Sequence, residues 1–163
     1  QLQERVRSTV HYPAFFYPLD AIGAWNRIYG SNGLLQYQCV IPHRHAETAM
    51  REILGQIAGA GTGSFLAVLK MFGDLPSPGL LSFPRPGATL ALDFPNQGQR
   101  TFELLDRLDA ITMAAEGALY PAKDARMSPD TFRRSFPDWL QLEPYIDPRF
   151  SSSFWRRVTG ESR

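Results

Sequence analysis

Cysteine is almost missing from this chain: Cys39 is the single one in 163 residues. One thiol excludes an internal disulfide framework and suits a reducing compartment, so the expected location is the cytoplasm. Long apolar runs are missing as well. Nothing approaches the roughly 20 residues that a membrane-spanning helix needs, and no stretch has the layout of a secretory signal. A formal net charge of +1 leaves no basic footprint for nucleic acid or an anionic membrane, and no nucleic-acid partner is expected. No Gly-x-Ser-x-Gly occurs, and Cys39 falls on an apolar strand face, where a nucleophile is not expected. The chain begins at Gln1 without an initiator methionine, and the expectation is a piece of a longer polypeptide.

What is present reads as one globular domain. Hydrophobic residues at 44% and charged ones at 20% suit a chain that buries a sizeable core, not a disordered tail. Residues 1–14 are expected to be a linker or edge segment, 15–158 the domain and 159–163 a tail. The aromatic stretch His11–Tyr17 needs something to bury against. Asp20 is expected to cap a short helix that puts Ile22, Trp25 and Tyr29 on one face and ends at Gly30.

Leu34 to Ile41 alternates, with Leu35, Tyr37, Cys39 and Ile41 on one face and Gln36, Gln38 and Val40 on the other. From Arg44 the period becomes helical, through Ala46, Ala49, Met50, Ile53, Leu54 and Ile57. The glycines of Gly59–Gly63 end that helix. Ser64 to Phe72 is a second strand, with Phe65, Ala67, Leu69 and Met71 opposite Leu66, Val68, Lys70 and Phe72. Leu80 to Phe83 is a candidate short strand. Thr89 to Phe94 is a third clear one, with Leu90, Leu92 and Phe94 opposite Thr89, Ala91 and Asp93. A helix follows through Phe102, Leu105, Leu108, Ile111 and Ala115 and stops at Gly117. Ala118–Tyr120 is a short strand, and Pro121–Asp124 is a tight passage that delivers Lys123. Ser128-Pro129-Asp130 reads as cap, first-turn proline and first-turn acid of a further helix. More helix is expected around Trp139 and Leu142, bent or ended by Pro144, with a turn at Asp147-Pro148.

This order is two pseudo-repeated strand-helix-strand units. The expected fold is α+β: an antiparallel or mixed sheet with helices packed on one face, in a ferredoxin-like arrangement. Each of the three clear strands has a fully apolar face, expected to be core under the helices. Their other faces carry Gln36 and Gln38, then Val68 and Lys70, then Thr89 and Ala91. A face with isolated amides and one lysine suits a ligand pocket or a second domain as well as it suits bulk water.

Weaker signals have plainer explanations. His43 and His45, two apart at a helix start, diverge around the axis and read as surface residues, not metal ligands. Gly59-Ala-Gly-Thr-Gly63 follows a helix and enters a strand, the reverse of a phosphate-binding loop. Lys123 taken alone is an ordinary loop lysine; its place directly after an apolar strand is what sets it apart.

A set of short motifs stands in one order: Phe16-Tyr-Pro-Leu-Asp20, Trp25-Asn-Arg27, Leu35-Gln-Tyr-Gln38, Ser64 to Gly73, Leu92-Asp-Phe-Pro95 and Leu119-Tyr-Pro-Ala-Lys-Asp124. In these the chain resembles the C-terminal, substrate-binding cap of FAD-linked oxidoreductases of the vanillyl-alcohol-oxidase type. The resemblance runs from about Phe15 to Val158, and it is nearer to the branch acting on polyprenyl-phosphoryl-ribose than to the aldonolactone oxidases. It implies an FAD held mainly by a domain upstream in the same polypeptide, with this part covering the ring. It implies oxidation of a sugar alcohol by hydride transfer to flavin, in making a cell-wall arabinan precursor. A reductase for the keto product is an implied partner, and membrane association through substrate or partner an implied option.

Carried over, Lys123 matches the family's active-site lysine beside the flavin, and Tyr120 a tyrosine at the flavin. Gln36, Gln38, Val68 and Lys70 match substrate-pocket positions, as do Leu19, Gly23 and Arg27 in a segment that forms a mobile lid in the family. Thr89 and Ala91 stand where the mycobacterial enzymes have asparagine and cysteine, which changes the pocket's shape there. Alone, the cap is expected to be inactive. Two other classes fit the strand pattern: a stand-alone ligand-binding or regulatory α+β module, and an interaction domain whose half-polar face takes a partner protein.

Overall fold

The computed structural model describes residues 8–123, 126–147 and 149–160, and for Trp25 and Asn26 the backbone only. The first half of the expected linker, Asp124 at the end of the Lys123 passage, Pro148 in the expected turn and the last three residues lie outside the described part.

Among the described residues, four strands form one antiparallel sheet in the order β2-β3-β1-β4. They are β1 (Leu34–Ile41), β2 (Ala67–Phe72), β3 (Gly87–Pro95) and β4 (Ala118–Leu119). Two long helices, α2 (His43–Gly59) and α3 (Gln99–Ala114), connect β1 to β2 and β3 to β4. The expected α+β pseudo-repeat is therefore present, and its sheet is wholly antiparallel.

The core sits between one sheet face and the helices. Tyr37, Cys39 and Ile41 of β1 and Leu90, Leu92 and Phe94 of β3 meet Met50 and Ile53 of α2 and Leu104, Leu105 and Leu108 of α3. Each such large side chain, fully buried, contributes roughly 1.5–3 kcal/mol. On α3 the stripe is turned from the one expected: Thr101, Leu104, Leu105, Leu108, Asp109, Thr112 and Met113 are buried, while Phe102 and Ile111 are only partly covered. Polar Thr112 belongs there because its hydroxyl pairs with Tyr37 Oη at 3.1 Å. On α2, Leu54 stands 51% exposed beside the stripe instead of within it.

The second strand departs most from expectation. It begins at Ala67, not Ser64, and as an edge strand it lies outside the helix layer. Leu69 and Met71, expected in the core, are 63% and 65% exposed. Period-2 alternation fixes the face of a side chain but not whether anything covers that face. Leu80–Phe83 is turn and loop, and the buried Phe83 there packs instead with Phe72, Val40, Ala118 and Tyr120 as a small second cluster.

At the amino-terminal side, α1 (Tyr12–Phe16) buries none of its residues. Tyr12, Phe15, Phe16 and Tyr17 are all exposed, so the aromatic stretch lacks the cover it was expected to find within the described chain. The single helix expected from Asp20 is two 3₁₀ turns, Pro18–Ala21 and Trp25–Tyr29. Ala24 at φ 52° separates them, a left-handed backbone that ends any continuous helix. Asp20 thus lies inside the first turn instead of capping a helix. Of the three side chains assigned to one face, Tyr29 is buried, Ile22 is 43% exposed and that of Trp25 is outside the described part.

After α3, Gly117 is held against the sheet, and β4 pairs Leu119 with Cys39 and Ala118 with Val40. A 3₁₀ turn, Pro121–Lys123, follows at once. Ser128 caps α4 (Pro129–Ser135) by accepting the Thr131 N–H at 3.1 Å, as expected. The next segment, Pro137–Tyr145, is 3₁₀ with Pro144 inside it, and α5 (Ser153–Thr159) closes the fold over Phe132.

Candidate functional site

The face of the sheet away from the helices carries a cleft of about 170 Å³, lined among others by Gln36, Gln38, Val68, Lys70, Thr89, Ala91, Asp93 and Lys123. Seven of the positions singled out from the sequence are thus neighbours. Three strands and one turn supply them, and the register explains how: Gln36 faces Asp93, Gln38 faces Ala91, and Val68 and Lys70 face Ala91 and Thr89. The chain has just two lysines, Lys70 and Lys123, and both line this cleft.

Lys123 gets there because β4 is only two residues long. Tyr120 donates its N–H to Gln38 O at 2.9 Å, and Lys123 N–H then bonds to Tyr120 O, so the chain turns over the open edge of β1. The Lys123 ammonium donates to Gln36 Oε1 at 2.8 Å. A smaller space of about 20 Å³ opens beneath, lined by Gln36, Gln38, Tyr120 and Lys123 and also by Tyr37, Asp109 and Arg126. Tyr120 packs its ring on Phe83, centroids 4.7 Å apart.

The cleft floor is a bonded network. Gln36 Nε2 donates to Asp93 Oδ1 at 3.0 Å, and Tyr29 Oη donates to Asp93 Oδ2 at 3.1 Å. The Asp93 N–H meets Ser64 Oγ at 2.8 Å. Gln38 Nε2 donates to Thr89 Oγ1 at 3.2 Å, and that hydroxyl donates to Cys39 O at 2.8 Å. Burial, with the Asp93 carboxylate second, pushes the Tyr29 phenol up to about 12. Tyr29 therefore stays a neutral donor to Asp93. On the helix side, Arg126 bonds Asp109 at 2.9 Å and Asp106 at 2.5 Å. Burial raises the Asp109 carboxyl, and Arg126 opposes that shift.

Leu19, Gly23 and Arg27 are not brought to the cleft. They lie exposed on or between the two 3₁₀ turns, and a Cβ on Gly23 would meet nothing within 4 Å. His45 lies 3.5 Å from Glu116, and Glu47 pairs with Arg51. Burial pushes the Cys39 thiol up to about 12, so it is no thiolate at neutral pH.

Two participants escaped sequence reasoning. Asp93 shares the two-residue phase of Thr89 and Ala91, and that phase was the available signal, since a carboxylate within a strand needs a partner wherever it is buried. Tyr29 was expected on the apolar face of its helix, but nothing in the sequence paired it with Asp93.

By fold and site this is an α+β sheet domain that gathers two ammonium groups and two anchored amides on its open face. Comparison with known proteins bears out the resemblance read from the motifs. The chain is 39% identical, over 88% of its length, to part of the decaprenylphosphoryl-beta-D-ribose oxidase of Mycolicibacterium smegmatis, matching 32% of that protein. It is 34% identical over 77% of its length to an uncharacterized protein in the mprA 5′ region of Streptomyces coelicolor, matching 35% of it. The chain spans about a third of the length of these relatives. No family model matches it.

Proposed function

We propose that this chain is the substrate-binding part of an FAD-linked oxidoreductase that oxidises a secondary alcohol of a polyprenyl-phosphoryl-ribose-like or aldonolactone-like sugar. The observation that carries the proposal is the cleft itself, where Lys123, anchored on Gln36, stands across from Lys70 over a floor of hydrogen-bonded amides. The similarity to an oxidase supports the reaction class.

The residues suit one side of a flavin ring. Tyr120 and Lys123 follow each other around the β1 edge and would face it, and the half-buried ammonium would offer it positive charge. The glycines of Gly59–Gly63 end α2 and lead toward β2, so they present no helix N-terminus to a diphosphate. The FAD would be held mainly by an upstream domain of the same polypeptide. When bound, the flavin supplies the acceptor for the hydride that leaves the alcohol carbon.

The chain's own groups do the positioning. Lys123 would place a cation beside the alcohol oxygen, stabilising the negative charge that develops there as its proton passes to solvent water. Lys70, exposed at the cleft's far edge, suits a phosphate or an outlying hydroxyl as a point charge. Gln38, tied to Thr89, offers its amide carbonyl to a sugar hydroxyl. A cytoplasmic enzyme meeting the membrane through a lipid-linked substrate, with a reductase taking its keto product, fits this reading.

Rapid-mixing measurement of flavin reduction in the full-length protein is the test. Lys123→Ala should slow reduction about a hundredfold, the worth of roughly 3 kcal/mol of positioned charge. Reduction within twofold of the parent would return Lys123 to an ordinary loop lysine.

A further inference from the structure

We propose that Asp93 is a positioning residue, whose buried carboxylate fixes the Gln36 amide so that its oxygen, not its nitrogen, faces the Lys123 ammonium. The inference rests on the reading of Lys123 as the working cation and adds to it a group that touches neither sugar nor flavin.

An amide side chain has two ends of nearly equal shape and opposite polarity. Left alone, Gln36 would present either one to the cleft. Asp93 removes that choice. It lies directly opposite Gln36 in the β1–β3 register and on the same face, and it is only 3% exposed. An ionised carboxylate accepts and never donates, so the only end of Gln36 that can meet it is the NH₂ group, found 3.0 Å from Oδ1. The carbonyl end must then point outward, where Lys123 Nζ is found at 2.8 Å. Tyr29 Oη, bonded to Oδ2, keeps the carboxylate from turning away, and the bond from the Asp93 N–H to Ser64 Oγ holds the strand backbone beneath it. The result is a directed chain from Tyr29 and Gln36 to Asp93, and from Lys123 to Gln36.

Other charged groups around Lys123 do not substitute for this one. Asp109 and Arg126, which line the smaller space beside it, are bonded to each other on the helix side. Lys70 is the other cation of the cleft. It pairs in register with Thr89, four residues from Asp93, which places it about 13 Å farther along the strand at ~3.3 Å per residue. A change at Asp93 should therefore reach Lys123 and spare Lys70, and the two lysines form a matched pair of probes.

The experiment is competitive trace acylation of the full-length protein with acetic anhydride across pH 7–10, with the Lys123 and Lys70 peptides quantified by mass spectrometry. Only the free amine reacts. In Asp93→Asn the acceptor-only carboxylate is lost and the Gln36 amide is free to turn, so its carbonyl no longer stays on the Lys123 amine. Lys123 labelling at pH 8 should rise about threefold or more as its amine loses the Gln36 carbonyl, while Lys70 changes by less than about 1.5-fold. Gln36→Leu breaks the link without touching the carboxylate and should raise Lys123 labelling in the same direction, which keeps the idea testable if Asp93→Asn does not fold. Unchanged Lys123 labelling in either folded variant, or equal rises at both lysines, would overturn the proposal. Because labelling involves no turnover, it can fail while flavin reduction still depends on Lys123, and the reverse.

Discussion

Lys123 Nζ and Gln36 Oε1 are joined at 2.8 Å although 87 residues separate them in the chain. One sits on a turn after the shortest strand, the other near the start of β1, the longer strand of the first repeat. Their meeting depends on how the second repeat returns to β1, and that return runs through Gly117.

Gly117 has no room for a side chain. A Cβ there would stand 2.6 Å from Val40 O and 2.9 Å from Thr112 O, both backbone atoms that cannot swing aside. Gly117→Ala is expected to cost about 2–3 kcal/mol, an overpacking penalty, read as a lower urea midpoint. A midpoint shift worth less than about 0.5 kcal/mol would show that β4 can slide without loss.

Alkali should weaken the fold through its buried phenols and thiol. Burial raises the Tyr29 phenol to about 12, the Cys39 thiol to about 12 and the Tyr37 phenol well above its usual value. The sign follows from linkage: a raised folded value means that the unfolded chain loses its proton first. Stability is fully present below the unfolded values near 9 and 10, and it is lost as pH rises toward 12. The urea midpoint should fall steadily from pH 9 to pH 11, and Tyr29→Phe should flatten that fall. At pH 8 the same variant should be less stable by about 1 kcal/mol, the usual worth of one hydrogen bond. A midpoint independent of pH over this range would mean that the three groups ionise freely in the native state.

How much of this was legible beforehand is best seen strand by strand. The bounds and faces of β1 follow from its alternation, because a strand paired on both sides and covered by helices shows period 2 without interference. From that phase alone Gln36, Gln38, Val68, Lys70, Thr89 and Ala91 fall on one face, and the cleft gathers them. The cover over each strand was not legible. Leu69 has the same spacing as Leu90, its register partner, yet one is exposed and the other buried, because strand order decides which is at the edge. Register was hidden too, and with it the Gln36–Asp93 pair. The first segment failed for a local reason, since a helical period through Ile22, Trp25 and Tyr29 does not reveal the left-handed residue at Ala24.

That edge gives a direct check on the corrected role of β2. Leu69→Thr and Met71→Thr replace exposed side chains with one that also favours strands, so each should leave stability within about 0.5 kcal/mol of the parent. Had these residues been core, each change would cost about 2–4 kcal/mol. Denaturant titration of the two variants separates the cases. The double variant should also associate less, since an uncovered apolar edge strand invites pairing with another chain.

The chain by itself should fold and yet hold FAD weakly. Folding is expected because α2 and α3 both find sheet to cover, and the core from Tyr37 to Val158 is closed within these residues. Weak binding is expected because Tyr120 and Lys123 would, on the proposed reading, address only one side of a flavin ring, while the Gly59–Gly63 run ends a helix instead of opening one. Diphosphate affinity comes from N–H groups converging on an anion, at a helix start or a backbone nest. Exposed Tyr12, Phe15, Phe16 and Tyr17 leave an apolar surface that favours self-association. Titrating the isolated chain with FAD while following flavin fluorescence should give no saturation at micromolar cofactor, and light scattering should show concentration-dependent association. Stoichiometric quenching, or alcohol oxidation by this chain alone, would place the cofactor site within these residues and overturn the division of labour proposed for the enzyme.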